Sequence, residues 1–484
     1  MTESTPSRWR TALWRGETAP IPAVRVPTRA VYPRRRPGDE SEVAAVDQGA
    51  SLALRVGTLL LAGGAPTEDV EAAIFAVGTA VGLGVFEVDI TYKSIIISVA
   101  PDGDRPGLTD MRVVRGRSTH FARVAAAHRL VLDLAEGRIS PNDVEPRLSE
   151  IERLRRPYPR WFVVASFGAL SAAITVQLGG SAWTAAVALA AAAFTGVLGI
   201  RMARMHVPTF FVNMVLALGA TLVAVLVTAN QDSLQDLEIK TPLVIVGGII
   251  ALLPGMTLMV AAQEAIGSFA VTAAARFVEL TFATVGIVSG VLIGLVVADE
   301  FSVTMPTVVS PDYNALGVTT AVIAAAIAAT FAAVTYQSLF RLAWTGGVLA
   351  GVGYFIFLWA KDQVTNLGVA TAIPAVAIGA LAALFAGRLK VPPVLLTAAG
   401  IIPLLPGLAV YQGLLFLSRS GRTSGDAPTP TDLDKGLGSL VEATTIAVAL
   451  AAGVLLGQLM VSRLLRTPLR GFIPQRSQRS DHYR

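Results

Sequence analysis

One short motif occurs twice in this chain of 484 residues, and it contains the residues best suited to bind a solute. Residues 248–256 read GIIALLPGM and residues 400–408 read GIIPLLPGL, so seven of nine positions are identical. Each copy lies within an apolar run, where a proline has no amide hydrogen to give to the helix. A helix that breaks inside a membrane leaves carbonyl groups and a half-helix end that can bind charged groups.

The duplicated motif therefore predicts a binding site formed by backbone groups. Pro254 cannot donate a hydrogen bond to the carbonyl of Ile250, and Pro406 cannot donate one to the carbonyl of Ile402. The predicted substrate-binding residues are the matching positions of the two copies, namely Ile250, Pro254, Gly255, Ile402, Pro406 and Gly407. The alternative interpretation is a pair of proline kinks with no role in binding.

Two glutamates at matching positions are the candidates for carrying protons. Glu279 precedes a GVLIG segment that begins at residue 290, and Glu442 precedes a GVLLG segment that begins at residue 453. A carboxylate within an apolar span is costly unless it faces a cavity, and desolvation moves its pKa upward. We predict proton coupling through Glu279 and Glu442. The alternative is that Arg276, three residues before Glu279, neutralises that glutamate.

Motifs for other chemistry are missing. The chain has no cysteine and four histidines, and it lacks GxxxxGK[ST], HExxH, GxSxG and GxGxxG sequences. We predict no metal site, no cofactor and no enzymatic activity. The alternative is an enzyme or ligand sensor in the water-soluble region, with chemistry drawn from the residues Asp69, Glu71, Glu87, Asp89, His120 and His128.

The composition is that of a membrane protein, because 53% of the residues are apolar and 15% are charged. Ten apolar runs are long enough to cross a hydrocarbon layer of ~30 Å. They are predicted at residues 161–179, 182–200, 208–228, 242–262, 273–297, 316–335, 342–360, 367–386, 392–417 and 437–461. The fold class is therefore an α-helical polytopic membrane protein.

A region of ordinary composition precedes the spans. It combines helical periodicity with alternating apolar and polar residues near 86–97, which indicates a small α+β module. The predicted domains are a basic disordered arm (1–45), the module (46–158), two groups of five spans (159–300 and 311–464) and a basic tail (465–484).

The distribution of Lys and Arg predicts the orientation in the membrane. Thirteen of these residues flank the spans on the side of the termini, and five flank them on the other side. Both termini and the module are therefore expected in the cytoplasm, in the cytoplasmic membrane. No apolar segment follows the basic arm, so we predict no signal peptide. The basic ends are expected to contact anionic lipid rather than nucleic acid.

The two motifs also predict how the spans are related. Span 4 matches span 9 and span 5 matches span 10, so the repeat unit has five spans. Because five is odd, the second copy must cross the membrane in the opposite direction, which gives a 5+5 inverted repeat. This arrangement is typical of secondary transporters. Repeated small residues at GxxxG spacing, such as Gly286, Gly290 and Gly294, predict close helix packing within one chain or between the chains of a homo-oligomer.

These features together resemble the threonine/serine exporter (ThrE) family of bacteria. The resemblance is carried by the module's LLAGGAPTEDVE segment at residues 60–71 and by the duplicated Leu-Pro-Gly motifs, and it covers residues 45–462. It implies export of L-threonine and L-serine driven by the proton-motive force. The family's two halves occur as separate chains in some bacteria, and these are associated with export of dicarboxylates, so a succinate-like substrate is the alternative.

Overall fold

The computed structural model describes residues 40–100, 107–116, 119–231, 233, 237–306, 316–420 and 430–464. The basic tail at 465–484 and most of the predicted basic arm lie outside these ranges, and the predicted lipid contacts of the termini lie there as well. Residues 40–45, which the sequence assigns to the arm, already belong to the first helix.

The N-terminal module contains four α-helices and three strands. Helices α1 and α2 come first, then the strands β1, β2 and β3, and then a 3₁₀ turn between α3 and α4. Their bounds are α1 Glu40–Ala62, α2 Thr67–Ala80, β1 Phe86–Ile90, β2 Ser94–Val99, β3 Leu108–Val113, α3 Phe121–Ala135, the 3₁₀ turn Pro141–Asp143 and α4 Val144–Glu152. The strands form an antiparallel sheet in the order β1-β2-β3, in which Phe86 pairs with Val99.

The alternation of residue types in β2 explains how the module forms a core. Ile95, Ile97 and Val99 are buried, because side chains at every second position of a strand point to the same face. Helix α1 ends where Gly64 adopts a φ of +89°, a conformation that glycine reaches without steric cost. A methyl group added at Gly64 would also overlap the end of the Met256 side chain. The module therefore packs directly against the apolar helices.

Twelve further α-helices follow the module within the described residues. Their bounds are α5 Arg160–Gln177, α6 Ala182–Arg204, α7 Thr209–Ala229, α8 Thr241–Leu252, α9 Gly255–Ile266, α10 Ala270–Glu300, α11 Val318–Thr335, α12 Phe340–Gln363, α13 Leu367–Leu389, α14 Val394–Gly400, α15 Gly407–Ser420 and α16 Pro430–Leu464. In the described part of the chain, nine helical segments are long and apolar enough to cross a membrane, and the count reaches ten when the bent pair α8 and α9 is one span. The chain is a multi-pass membrane protein.

Small residues set the closest helix contacts, as their spacing predicts. A methyl group at Gly290 of α10 would overlap the carbonyl oxygen of Met214 in α7. At Gly457 of α16, it would overlap the carbonyl oxygen of Val376 in α13. The long helices α10 and α16 thus lie against α7 and α13 at backbone contact distance, and this glycine-mediated packing occurs within one chain.

The module lies at one end of the helix bundle. The amides of Phe121 and Ala122 donate to the carbonyls of Tyr336 and Gln337, in the connection between α11 and α12. The apolar core of the module also continues into Val394 at the start of α14. These contacts are at connections that the charge distribution assigns to the side of the termini.

Candidate functional site

The two Leu-Pro-Gly motifs form the same turn. In each copy the glycine amide donates to the leucine carbonyl two residues earlier, Gly255 to Leu253 and Gly407 to Leu405, at 2.8 Å in both cases. Pro254 has φ −79° and ψ 59°, the geometry of an inverse γ-turn. The axes of α8 and α9 differ by 45° across this break. Each motif therefore ends one helix and begins another.

The broken helices meet at their glycines. The side chain of Ile250 lies against Gly407, where an added methyl group would overlap it. Reciprocally, a methyl group at Gly255 would lie 3.3 Å from the side chain of Leu405. The structure thus brings the predicted residues of the two motifs together, with Pro254 and Pro406 partly exposed beside them.

The second break has an extra turn that corrects one expectation. Pro403 replaces the alanine of the first copy, and the chain forms a 3₁₀ turn over Ile402–Leu404. The carbonyl of Ile402 is not left free, since it accepts the amide of Leu405 at 3.1 Å. The carbonyl of Pro403 instead accepts the side-chain amide of Gln177 at 2.7 Å.

Gln177 contributes a polar group beside the second break. This residue of α5 is 2% exposed, and its Oε1 has no hydrogen-bond partner among the described residues. The hydroxyl of Tyr354 lies 3.5 Å from the Gln177 carbonyl. Nothing in the sequence shows that α5 approaches the second motif, so this contact of Gln177 was not predictable.

The two candidate proton carriers lie on the long helices α10 and α16, outside the two Leu-Pro-Gly motifs. Glu279 lies about 14 Å along α10 from its first residue, is partly buried, and accepts a hydrogen bond from the hydroxyl of Tyr92 in the module at 2.8 Å. Glu442 is partly buried in α16, nearer to that helix's first residue than to its last. Arg276, the residue that the alternative pairs with Glu279, forms an ion pair with Glu264.

Glu264 forms a buried network that the sequence did not indicate. Arg276 Nε donates to one of its carboxylate oxygens at 2.6 Å, and the Thr67 hydroxyl donates to the other at 2.8 Å. Arg276 is 2% exposed, Glu264 is 1% exposed and Thr67 is 0% exposed. Glu264 lies within α9, and its hydrogen bond with Thr67 anchors α2 to α9.

A pocket adjoins this network, between the start of α2, the end of α9, the start of α14 and the last third of α16. Asp69 lines it, and burial, with a smaller contribution from the charge of Glu68, raises the pKa of Asp69 to about 7. Two side-chain amides line it as well. Gln263 Nε2 donates to Gln458 Oε1 at 2.9 Å.

His120, one of the candidate residues of the enzymatic alternative, has a structural role. His120 precedes α3, and its Nδ1 accepts the amide of Arg123 at 3.3 Å, so this side chain caps the helix. Within the described ranges, no three histidine or acidic side chains lie close enough together to hold a metal ion.

Comparisons with known proteins identify the family. A family described as "Putative threonine/serine exporter" matches residues 51–298, and "Threonine/Serine exporter, ThrE" matches residues 321–460. A "Probable threonine/serine exporter" of Mycobacterium tuberculosis is 33% identical over 421 residues, which cover 85% of this chain and 76% of that protein. The "Threonine/serine exporter" of Corynebacterium glutamicum is 32% identical over 443 residues, which cover 89% of this chain and 85% of that protein.

The chain belongs to the threonine/serine exporter family. This membership confirms the resemblance carried by residues 60–71 and by the Leu-Pro-Gly motifs. A "Probable succinate transporter subunit YjjP" of Escherichia coli matches part of the chain. It is 26% identical over 248 residues, which cover 51% of this chain and 93% of that protein. No solved structure matches the chain.

For this member of the family, sequence reasoning could have found the buried network. Glu264 and Arg276 are charged residues within a region of two apolar helices joined by a turn of three residues. Such a hairpin brings residues on either side of the turn together, so a Glu and an Arg twelve residues apart can pair. The pocket gives no comparable signal, because Asp69 and Gln458 are distant in sequence.

Proposed function

We propose that this protein is a secondary exporter that moves L-threonine and L-serine across the cytoplasmic membrane in exchange for protons. Membership of an exporter family supports transport of amino acids. The observation that carries the proposal is the contact between two broken helices with the same turn, which brings two half-helix starts and a buried amide to one place.

We propose that the two groups of five spans form an inverted repeat. The matching turns at Gly255 and Gly407 support it, as does the matching packing of α10 on α7 and of α16 on α13. In such a repeat, two exchangeable arrangements of the halves expose one central site to each side in turn. The module and both termini then face the cytoplasm, in keeping with the charge distribution.

The substrate is proposed to bind at the breaks. Its carboxylate lies at the positive start of α9 or α15, near Gly255 or Gly407, because the first amides of a helix attract anions. Its ammonium group lies against the carbonyl oxygen of Ile250, to which Pro254 cannot donate. Gln177 Oε1, buried and lacking a partner among the described residues, is suited to accept a hydrogen bond from a substrate hydroxyl.

Removing the prolines tests this site. The double variant Pro254→Ala and Pro406→Ala restores one amide at each break, so the first helix should continue and the second turn should change. Efflux of labelled L-threonine from preloaded cells should then be abolished. Pro374→Ala is the matched control, since α13 continues through Pro374 without a break. Normal efflux by the double variant, at an equal amount in the membrane, would refute the site.

Proton coupling is proposed to involve Glu279 and Glu442. A glutamine at position 279 keeps the shape of the side chain but cannot carry a proton. Efflux by Glu279→Gln should therefore no longer respond to a protonophore, whereas efflux by the unaltered protein should stop. A variant with the wild-type response would remove Glu279 from the coupling mechanism.

The second candidate is export of dicarboxylates, which the partial likeness to the YjjP subunits favours. A dicarboxylate needs a site rich in positive charge. The two motifs at the proposed site instead contain no lysine or arginine. Protein-dependent efflux of succinate without efflux of threonine would select this candidate.

A further inference from the structure

The pocket beside Asp69 is separate from the helix breaks. Helix α9 begins at the break, with Gly255, and reaches the pocket at Gln263 and Glu264. Eight residues of α-helix span about 12 Å, so a small solute cannot touch both places at once. The pocket lies where the module meets both halves of the membrane region, because α2, α9 and α16 all line it.

The paired amides in the pocket leave one donor and one acceptor without a partner. Gln458 is 2% exposed, and its Nε2 has no partner among the described residues, nor has Gln263 Oε1. Turning both amides over exchanges the roles of the two residues but still leaves one NH₂ group and one carbonyl. Buried polar groups are nearly always paired, so a bound solute that both donates and accepts would satisfy them.

The charges in the pocket favour a positively charged group on that solute. Asp69 and Glu264 both line the pocket, and Arg276 pairs with Glu264. The carboxylate of Asp69 has no ion pair among the described residues, and Glu68 adds a further acidic group to the lining. An ammonium group is therefore attracted here, and a solute with two carboxylates is repelled.

We propose that this pocket is a second binding site for a free α-amino acid, on the module side of the transport path. Asp69 and the free amide carbonyl receive the α-ammonium group, and the amide NH₂ of Gln458 donates to the α-carboxylate. This inference rests on the proposed function and deepens it, because it places selection for an ammonium-bearing substrate at a defined position.

The second half of the chain has no equivalent pocket in its sequence. At the offset of the two motifs, Gln263 and Glu264 correspond to Leu415 and Phe416, and at the offset of the two glutamates Gln458 corresponds to Leu295. At these three positions the polar lining is therefore not repeated in the other half. A solute that reaches the breaks from the module side passes this selection, and one from the opposite side does not.

The test is threonine efflux as a function of the internal threonine concentration. Asp69→Asn removes the negative charge, and Gln458→Leu removes the amide donor. Each should raise the half-saturating internal concentration about tenfold or more, because each loses a hydrogen bond to a charged group. Asp89→Asn is the matched control, since Asp89 is an exposed residue of β1 in the same module and should leave efflux unchanged.

The outcomes separate this inference from the proposed function. Efflux by the wild type with an unchanged half-saturating concentration in both variants would overturn the pocket and leave the exporter assignment standing. No efflux by the wild type would contradict the proposed function. Titration of the purified full chain with L-threonine then decides the pocket: heat that Asp69→Asn abolishes supports it, and no heat from the wild type overturns it.

Discussion

In the first half, from Arg160 to Glu300, the break is followed by α9, whose far end carries Gln263 and Glu264. In the second half, from Val318 to Leu464, it is followed by α15, whose corresponding positions are Leu415 and Phe416. The breaks share one turn geometry, and the long helices pack on their neighbours through glycines in both halves. The two halves thus share the backbone geometry of the break. Of the positions compared, only Glu264 in the first half is a buried charged residue.

The difference between the halves separates the features that depend on the repeated motif from those that depend on contact with the module. The turn at Gly255 and Gly407 needs only proline and glycine, so both copies keep it. The pair Arg276–Glu264 needs the Thr67 hydroxyl of the module to complete its hydrogen bonds. The module contacts one end of the bundle, so a network of this kind forms at one of the two equivalent places.

The largest effect that distinguishes the halves should come from Glu264→Leu. It leaves Arg276 buried without its carboxylate partner, which destabilises a protein by about 3–5 kcal/mol. In the second half, Ser439 occupies the position in α16 that Arg276 occupies in α10. Ser439→Ala should change stability by less than about 0.5 kcal/mol. Thermal unfolding of the purified protein in detergent measures both.

The double variant Glu264→Leu and Arg276→Leu is the companion to this test. Because it removes both charges, it should recover much of the stability that the single variant loses. A single variant as stable as the wild type would mean that the buried pair does not distinguish the two halves.

The pH dependence of stability sharpens the same contrast on the module side. The pKa of Asp69 is raised from about 3.8 to about 7, so the folded protein holds this proton more tightly than the unfolded chain does. The resulting stabilisation is complete below the unfolded pKa and is lost as the pH rises through 7. Relative to Asp69→Asn, the wild type should therefore lose several degrees of unfolding temperature between pH 5.5 and 8.5.

Asp89→Asn serves as the control for this measurement and should follow the wild type at every pH. The other charged groups around Asp69 are Glu68, Glu264 and Arg276, and the last two neutralise each other. If Asp69→Asn kept the pH profile of the wild type, another group would be responsible for it.

The smallest effect concerns a feature that the halves share. Gly290→Ala and Gly457→Ala each place a methyl group against a backbone carbonyl of the neighbouring helix and should cost about 1–3 kcal/mol. Gly438→Ala, in the same helix as Gly457 but with no atom within 4 Å of the added methyl, should instead stabilise by up to ~1 kcal/mol. Unfolding temperatures test this, and unequal losses at Gly290 and Gly457 would break the equivalence.

Much of the fold is readable from the sequence, because membrane spans depend on long apolar runs. Each of the ten predicted runs coincides with a helix or a broken helix, and the strands near residues 86–99 are where alternation places them. The breaks were predictable as well, since proline acts on the residue four positions earlier whatever surrounds it. The structure adds that the glycine of each motif packs against an apolar side chain of the other, Gly407 against Ile250 and Gly255 against Leu405.

What the sequence could not show are contacts that depend on docking. Tyr92 reaches Glu279, Gln177 reaches the Pro403 carbonyl, and Thr67 reaches Glu264 only because separately folded parts pack together. The Ile402 carbonyl was expected to be free. In the structure it accepts the amide of Leu405, because the 3₁₀ turn brings the amide three residues later within hydrogen-bond distance. Local rules predict breaks but not the partners that fill them.

Helix α9 is only twelve residues long, with a Pro-Gly break at its start and the Asp69 pocket at its end. It is a stiff rod of about 18 Å, shorter than the membrane is thick. Its first turn touches the module at Gly64, and its last turn is tied to the module at Thr67. Both ends of α9 therefore contact the module, so a tilt of this helix would shift the helix break and the lining of the Asp69 pocket in one movement.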